Sequence, residues 1–532
     1  MNAPAPHVYP RNKWTIAAAV TFGTLMGTID ASIINVALTH LRGTLSASVE
    51  EITWVSTGYV VASVIIMPLT AWLGMRFGRK RIYMAGLVLF LVGSVACGMA
   101  RSLWPLVFFR IIQGLGAGAL QPTEQAILRE TFPPEEQGKA MALYGFAIML
   151  GPAIGPTLGG YIVDNYSWPW IFYINIPIGL VGLVMVWRVV EDPPYLERRT
   201  GRVDYLGMVL LVVGLAAVQT LLEQGERNDW FESKMMVLYA GIAAASLGMF
   251  IVQELVDPDP VVNLRVLDNR SFATGTGIGA ILGAVLFSSL FLLPIYMQEL
   301  LHFNAMQSGL ALLPRSIAML FAIPVIGQIY NRVSARGVVA FGLVLGAFTC
   351  FQMSHFTLET SRAQILGPQV LQGVALACIF IPLNTTALAT MERHRMSAAT
   401  GLNNLVRQLG GSFGVAIFAS LLGRFSTNAA SKLGEHLTAG DGAVTQRLAL
   451  IKGALMQNGT DAMTAANQSM GMLGGQVRLQ ATMIAFERAF FIAGLLFLAS
   501  VPLVMLLDPP AKKQAPAPGE AAVHEEHMAV EI

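Results

Sequence analysis

The sequence predicts an all-α polytopic membrane protein with about fourteen transmembrane helices. Mean hydropathy over the 532 residues is +0.59. Only 12% of residues are charged, where a soluble protein carries about 25%. The apolar residues fall in successive runs of about 20, each long enough to cross a bilayer as a helix. The expected spans are 14–38, 52–73, 82–100, 104–128, 140–163, 170–189, 204–223, 235–255, 273–298, 308–330, 338–356, 364–390, 399–422 and 484–507. The net charge of +2, with bases scattered over short loops, gives no footprint for nucleic acid.

The first 13 residues are polar and read as a cytoplasmic N-terminus. The run that follows is too long for a signal-peptide core and shows no A-x-A site, so it reads as a retained helix. With this end inside, alternate loops hold roughly 20 Lys and Arg against roughly 5 on the other side, which places both termini in the cytoplasm. Cys97, Cys350 and Cys378 all lie in apolar runs and make no CxxC pair. They read as small packing residues rather than a disulfide framework or metal site.

An internal repeat orders the chain. RIIQG at 110–114 matches QVLQG at 369–373, and GPAIG at 151–155 matches GGSFG at 410–414. Gln113 and Gln372, Gly151 and Gly410, and Gly155 and Gly414 are each 259 residues apart. Two helix pairs at one offset indicate parallel six-helix halves, a transporter architecture. The offset exceeds six helices by the length of the pair at 204–223 and 235–255. The expected organisation is an N-terminal half (14–190), a linker with two extra helices (191–272), a C-terminal half (273–507) and a disordered cytoplasmic tail (508–532). Within the C-terminal half, the polar segment 423–483 reads as a long outer loop, either a variable insertion or a docking surface.

These stretches resemble the major facilitator superfamily, and within it the fourteen-helix drug:proton antiporter group with its EmrB-type multidrug exporters. IDASIINVAL (29–38) resembles the first-helix motif of that group. RFGRKR (76–81) resembles the end of the loop motif after helix two, and FFRIIQGLGAG (108–118) the fourth-helix motif. LGPAIGPTLGG (150–160) resembles the fifth-helix antiporter motif, WPWIFYINIPIG (168–179) the entry to helix six, and LNNLVRQLGGSFG (402–414) the penultimate helix. The loop motif of Arg76, Gly78, Arg79, Lys80 and Arg81 departs from the family pattern. Met75 stands at its acidic place, Ala71 at its first glycine, and the second copy has Asn331 at the acidic place. On their own, these bases serve to hold topology.

A charge at membrane depth costs about 2.5–3.5 kcal/mol on insertion scales, so each one is a functional candidate. Asp30 shares a helical face with Gly23 and Gly27. Burial favours the protonated form of such a carboxylate and a nearby cation favours the charged form, which suits a proton carrier; a fixed carboxylate bonded to a neighbouring helix is the alternative. Arg110 does not release its proton. It tunes a carboxylate, as the resemblance to the proton-coupling motif implies, or forms a packing ion pair. Glu124, about 21 Å further along the same helix, is a substrate-pathway candidate near the cytoplasmic end, where solvation makes a bland role the expected one. Asn35, Gln113, Gln121, Gln298, Arg315, Asn384, Asn404 and Arg407 are further substrate-pathway candidates, with Phe172, Tyr173, Phe291, Tyr296, Met297 and Phe380 as candidate apolar lining. Gly151, Gly155 and Gly159 form one smooth face against which another helix can lie. Pro152 and Pro156 should bend the helix, and Gly160 completes the motif. Gly411 and Val415 replace the prolines in the second copy, so the bend belongs to one half and is expected to shape a tight contact between the halves on the outer side.

No P-loop, GxSxG elbow or His/Cys cluster at metal spacing occurs. The sequence therefore implies no enzyme, cofactor or metal, and energy from an ion gradient. The resemblance implies a proton-coupled exporter of amphiphilic small molecules in a bacterial inner membrane. It also implies a periplasmic adaptor of EmrA type and an outer-membrane channel as partners. Export of an endogenous compound (fatty acid, siderophore or pathway product) and a non-transporting sensor or scaffold remain open.

Overall fold

The computed structural model describes residues 10, 12–133, 136–192, 202–330, 334–389, 391, 395–435 and 442–506. The N-terminal half comprises α1 (Lys13–Leu45), α2 (Trp54–Phe77), α3 (Arg79–Met99), α4 (Leu103–Thr131), α5 (Gln137–Asn165) and α6 (Asn175–Val189), the last preceded by a short helix at Trp170–Tyr173. The linker contributes α7 (Tyr205–Gln224) and α8 (Lys234–Val256). The C-terminal half comprises α9 (Arg270–Glu299), α10 (Ala305–Tyr330), α11 (Ala335–Met353), α12 (Arg362–Ala389), α13 (Met396–Glu435), α14 (Gly442–Gln457) and α15 (Ala462–Ser500). Thirteen described segments are long and apolar enough to cross a bilayer. The 29-residue α5 stands at the place of the expected fifth span. With the 16-residue α14 set aside, the order of six, two and six long helices follows the expected one.

Each half is built on the same close pairing of its first and fifth helices. In α5, a Cβ added at Gly151 would overlap Thr28 Oγ1, and one at Gly155 would overlap Ser32 Oγ. The Thr28 hydroxyl donates to the Ala147 carbonyl (3.1 Å) and the Ser32 hydroxyl to the Gly151 carbonyl (2.9 Å). In the second half, Gly410 and Gly414 of α13 meet the Ala280 and Ala284 carbonyls of α9 in the same way. With small residues at these places two backbones approach closely enough for dispersion and hydrogen bonding to act together.

The glycine face of the antiporter motif thus takes another helix, and that helix is α1 of its own half. The contact with the other half is made from the next face, where Thr157 meets Gly309 of α10. Helix α5 is continuous through both prolines; the Pro152 side chain lies outside the described residues.

The halves also meet at the opposite end of the helices. Gln125 of α4 and Asn404 of α13 exchange amide hydrogen bonds of 3.2 and 3.1 Å. A Cβ at Gly401 would lie 3.2 Å from the Met67 carbonyl of α2. The Phe380 ring of α12 packs against Gly145 and stands 6.2 Å from the Tyr144 ring of α5. Linker helix α7 lies across the seam. Gln224 donates to Thr53 and Thr57 of the first half, and Gln219 to Ser412 of the second.

Segment 423–483 is for the most part helix rather than loop. Helix α13 runs on to Glu435 instead of ending near 422, and α15 begins at Ala462 instead of 484. At 40 and 39 residues each is about 60 Å long, twice the roughly 30 Å of hydrocarbon. They project as an arm from one face, with α14 laid against α15. Asp461 caps α15 by accepting the Met463 and Thr464 amides; a hydrogen bond from the Thr464 side chain first, and then these amides, hold its carboxyl below the usual range.

Candidate functional site

Asp30 and Arg110 meet inside the first half, with both side chains closed off from solvent. Arg110 Nη1 lies 2.5 Å from Asp30 Oδ2 and 2.8 Å from Gln113 Oε1, and Nε donates to the Val55 carbonyl (3.2 Å). The second oxygen of Asp30 accepts from the amides of Gln113 (2.9 Å) and Asn175 (2.8 Å). Gln113 donates in turn to Ser94 (2.7 Å). Five helices thus converge on one carboxylate, which is how a buried charge is kept: paired, with both of its oxygens hydrogen-bonded. Cys97, one of three buried free cysteines, lies against Gln113.

Tyr59 connects this pair to the interior space. The Arg110 guanidinium stands 4.2 Å from the centre of its ring, and its hydroxyl donates to the Gly27 carbonyl (3.2 Å). Tyr59 and Gly27 also line a cavity of about 380 Å³ between the halves. The wall from the first half carries hydroxyls and an amide: Thr24, Thr28, Ser32, Ser63 and Gln121. The wall from the second half is mostly apolar, with Phe287, Phe291 and Phe380, and carries Arg407 and Gln408. Arg407 lies over the Phe380 ring (5.3 Å) and donates to Asn404 (2.7 Å). The inter-half contacts at Thr157–Gly309 and Gln125–Asn404 stand beyond opposite ends of this space.

The expected pathway residues divide accordingly. Gln121, Arg407, Phe291 and Phe380 line the cavity. Gln113 serves the ion pair, and Asn404 the contact between halves. Gln298 is exposed at the end of α9, one residue from its last position, so its place is the rim rather than the pathway. Arg315 is buried in α10 away from the cavity lining. Phe172, Tyr296 and Met297 are buried within their own halves, and Tyr173 packs against Gly98. The side chains of Asn35 and Asn384 lie outside the described residues. Glu124 departs most from expectation: it is fully buried between α1 and α4 rather than solvated. Ser94, Asn175 and Tyr59 were not singled out in the sequence, because a lone hydroxyl, amide or phenol in an apolar run carries no signal until its neighbours are known.

The loop motif finds partners that its sequence did not announce. Gly78 has φ +94°, a conformation open to glycine. Arg79 is buried and paired with Glu130 of α4. The Lys80 amide donates to Asp192 (2.8 Å) and its ammonium to the Trp187 carbonyl (2.7 Å), both beyond the end of α6 or in its last turn. Arg76 lies over Trp72, and Arg81 is exposed. The motif therefore does more than hold topology. Asn331 and Arg332 of the second copy lie outside the described residues.

The 259-residue offset recurs in the side chains. Ser289 stands at the offset from Asp30, Gln369 from Arg110 and Gln372 from Gln113. Gln372 donates to Ser289 as Gln113 does to Asp30. The second half thus repeats the scaffold of the site without its ion pair.

The Major Facilitator Superfamily model matches residues 20–415. The multidrug export protein EmrB of Escherichia coli K12 is 33% identical over 495 residues, covering 92% of this chain and 94% of that one. The fatty acid resistance protein FarB of Neisseria gonorrhoeae is 32% identical over 507 residues, covering 94% and 98%. The crystal structure of the human organic anion transporter MFSD10 superposes with a TM-score of 0.59 at 13% identity, over 93% of this chain and all of that one, a likeness of fold. With the six, two and six helices and the repeated halves, these matches show that the chain belongs to the Major Facilitator Superfamily.

Proposed function

We propose that this chain is a proton-coupled secondary exporter of amphiphilic or hydrophobic small molecules. It works in the inner membrane of a bacterium with both termini in the cytoplasm, as the asymmetry of Lys and Arg favours. The observation that carries the reading is the shared position of Tyr59, whose ring lies against Arg110 and also lines the cavity. Substrate in the cavity touches the residue that holds the cation of the Asp30–Arg110 pair.

In this mechanism Asp30 takes a proton arriving from outside. The neutral acid no longer balances Arg110, which keeps the Val55 carbonyl and the Tyr59 ring. The guanidinium charge then acts on the cavity wall through Tyr59, and the halves rock about the cavity so that the site faces the other way. Loss of the proton to the cytoplasm restores the pair. The Thr157–Gly309 contact closes the outer end of the cavity, and the Gln125–Asn404 and Gly401–Met67 contacts the inner end.

A periplasmic adaptor of EmrA type and an outer-membrane channel complete the reading, with the helical arm as the docking element. The arm extends beyond bilayer thickness and exposes Leu450, Met463, Met470 and Met472, an apolar surface of the kind that marks interaction sites. A second reading is export of an anionic amphiphile such as a fatty acid. It is favoured by Arg407 in the cavity wall and by the likeness to a fatty acid resistance protein.

Inside-out vesicles test the main reading. An imposed proton gradient should drive dye accumulation that a protonophore abolishes; accumulation that requires ATP or survives the protonophore would overturn it. Competition by a medium-chain fatty acid, but not by a cationic dye, would favour the second reading. An efflux screen in a pump-deficient host, with and without adaptor, gives the substrate range.

A further inference from the structure

Glu124 is a fully buried carboxylate at membrane depth that the ion pair does not use. Its two oxygens face two hydroxyls of α1: Thr21 at 3.2 Å from Oε1, and Thr24 in contact with Oε2. Tyr83 of α3 and Tyr144 of α5 are the other titratable groups that face it. The phenol of Tyr83 is committed to the Val20 carbonyl, and Tyr144 lies beside Arg407 and Gln125. Three cations of the surrounding helices belong to other groups: Arg110 to Asp30, Arg407 to Asn404 and Arg79 to Glu130.

Both protonation states can be hydrogen-bonded here, and charge separates them. The Thr21 hydroxyl has one hydrogen and two acceptors, the Ala17 carbonyl at 2.8 Å and Glu124 Oε1 at 3.2 Å, and the Ala17 carbonyl already takes the helical amide four residues on. Ionised Glu124 accepts from Thr21 and Thr24; protonated Glu124 donates to Thr21 while Thr24 donates to its other oxygen. Among the described residues no ion pair includes Glu124, and a fully buried carboxylate without a cation is costly where the neutral acid is not. Thr24 also lines the central cavity, as do Gly23, Leu120 and Gln121 around it. Gly27, Tyr59 and Thr24 continue that wall from the Asp30 site toward Glu124.

We propose that Glu124 is a second proton site of the transport cycle, on the cytoplasmic side of the cavity. Its carboxylate binds a proton delivered through the cavity to give the neutral acid, and it returns that proton to cytoplasmic water when the inner contacts open. This rests on the proton-coupled reading above.

The test uses the full chain in proteoliposomes, with wild type, Asp30→Asn and Glu124→Gln compared. The Gln amide reproduces the hydrogen bonds of the protonated acid, so that variant is expected to fold. Three results are expected for Glu124→Gln: one protonated-carboxyl C=O infrared band disappears, one fewer proton moves per substrate, and gradient-driven transport persists. At a gradient of one pH unit, one fewer proton lowers the limiting concentration ratio about tenfold. An unchanged infrared spectrum with unchanged stoichiometry, in a protein whose wild type is proton-driven, overturns the Glu124 proposal alone. A wild type that moves no protons overturns the coupled reading itself. Glu124→Asp, a second variant should the first not fold, is expected to shift the band and keep the stoichiometry.

Discussion

Arg110 Nη1 stands 2.5 Å from the Asp30 carboxylate inside a helix bundle, and water reaches neither side chain. Removing one member leaves the other charged and alone, which costs about 3–5 kcal/mol. Asp30→Asn should therefore lower thermal stability as well as abolish gradient-driven export. A double variant, Asp30→Asn with Arg110→Gln, should regain much of that stability and none of the transport. Melting curves in detergent, read beside vesicle transport, check both. Full gradient-driven transport by Asp30→Asn would sink the carrier assignment.

Tyr59 should matter for its ring more than for its hydroxyl. A desolvated cation–π contact contributes about 2 kcal/mol. Tyr59→Phe should keep substrate-dependent proton exchange, and Tyr59→Leu should weaken it while substrate still binds. Proton release on substrate addition, followed with a pH indicator, separates the two variants.

The Gln125–Asn404 pair holds the halves together at one end of the cavity. Cysteines at both positions, introduced as Gln125→Cys and Asn404→Cys, should form a disulfide that stops transport, and reductant should restore it. Native Cys97, Cys350 and Cys378 are buried and leave the readout clear. Transport by the oxidised protein would show that these helices need not separate.

Gly155 offers a packing test. Its added Cβ would overlap Ser32 Oγ and approach the Ile33 amide at 3.1 Å, so α1 and α5 must part. Overpacking of this kind costs about 1–3 kcal/mol. Gly155→Ala should lower the melting temperature, whereas Gly434→Ala, with nothing within 4 Å, should not.

Deleting α14 should leave gradient-driven transport in vesicles intact, because none of its residues is buried. In cells, resistance that depends on an adaptor should fall. Pull-down of the adaptor by the intact chain but not by the deletion variant would place the contact on the arm.

The helices and the repeat were legible in the sequence because lipid imposes length and hydrophobicity on every span. Asp30 and Arg110 stood out for the same reason, since a charge in an apolar run is costly at that depth, and Gln113 stood out through the repeat. Glu124 was misplaced because its depth was counted along one helix, whereas its burial comes from Thr21 and Thr24 on another. Gln298 failed in the opposite direction, since a residue inside an apolar run can still sit at its rim. The arm read as a loop because helices outside lipid lose the hydrophobic signature that marked the rest. The glycines of the fifth helix announced a close contact correctly, but one sequence does not say which helix fills it.

The neutral copy of the site has a mechanical consequence. Among the described residues, the second half buries Arg315 but no carboxylate, and Ser289 and Gln369 occupy the places of the ion pair. A buried carboxylate that can gain or lose a proton is thus found, among the described residues, in one lobe and not in the other. On the proton-coupled reading proposed above, the repeated halves are two rockers on one frame, one an acid-sensitive lever and the other its neutral counterweight.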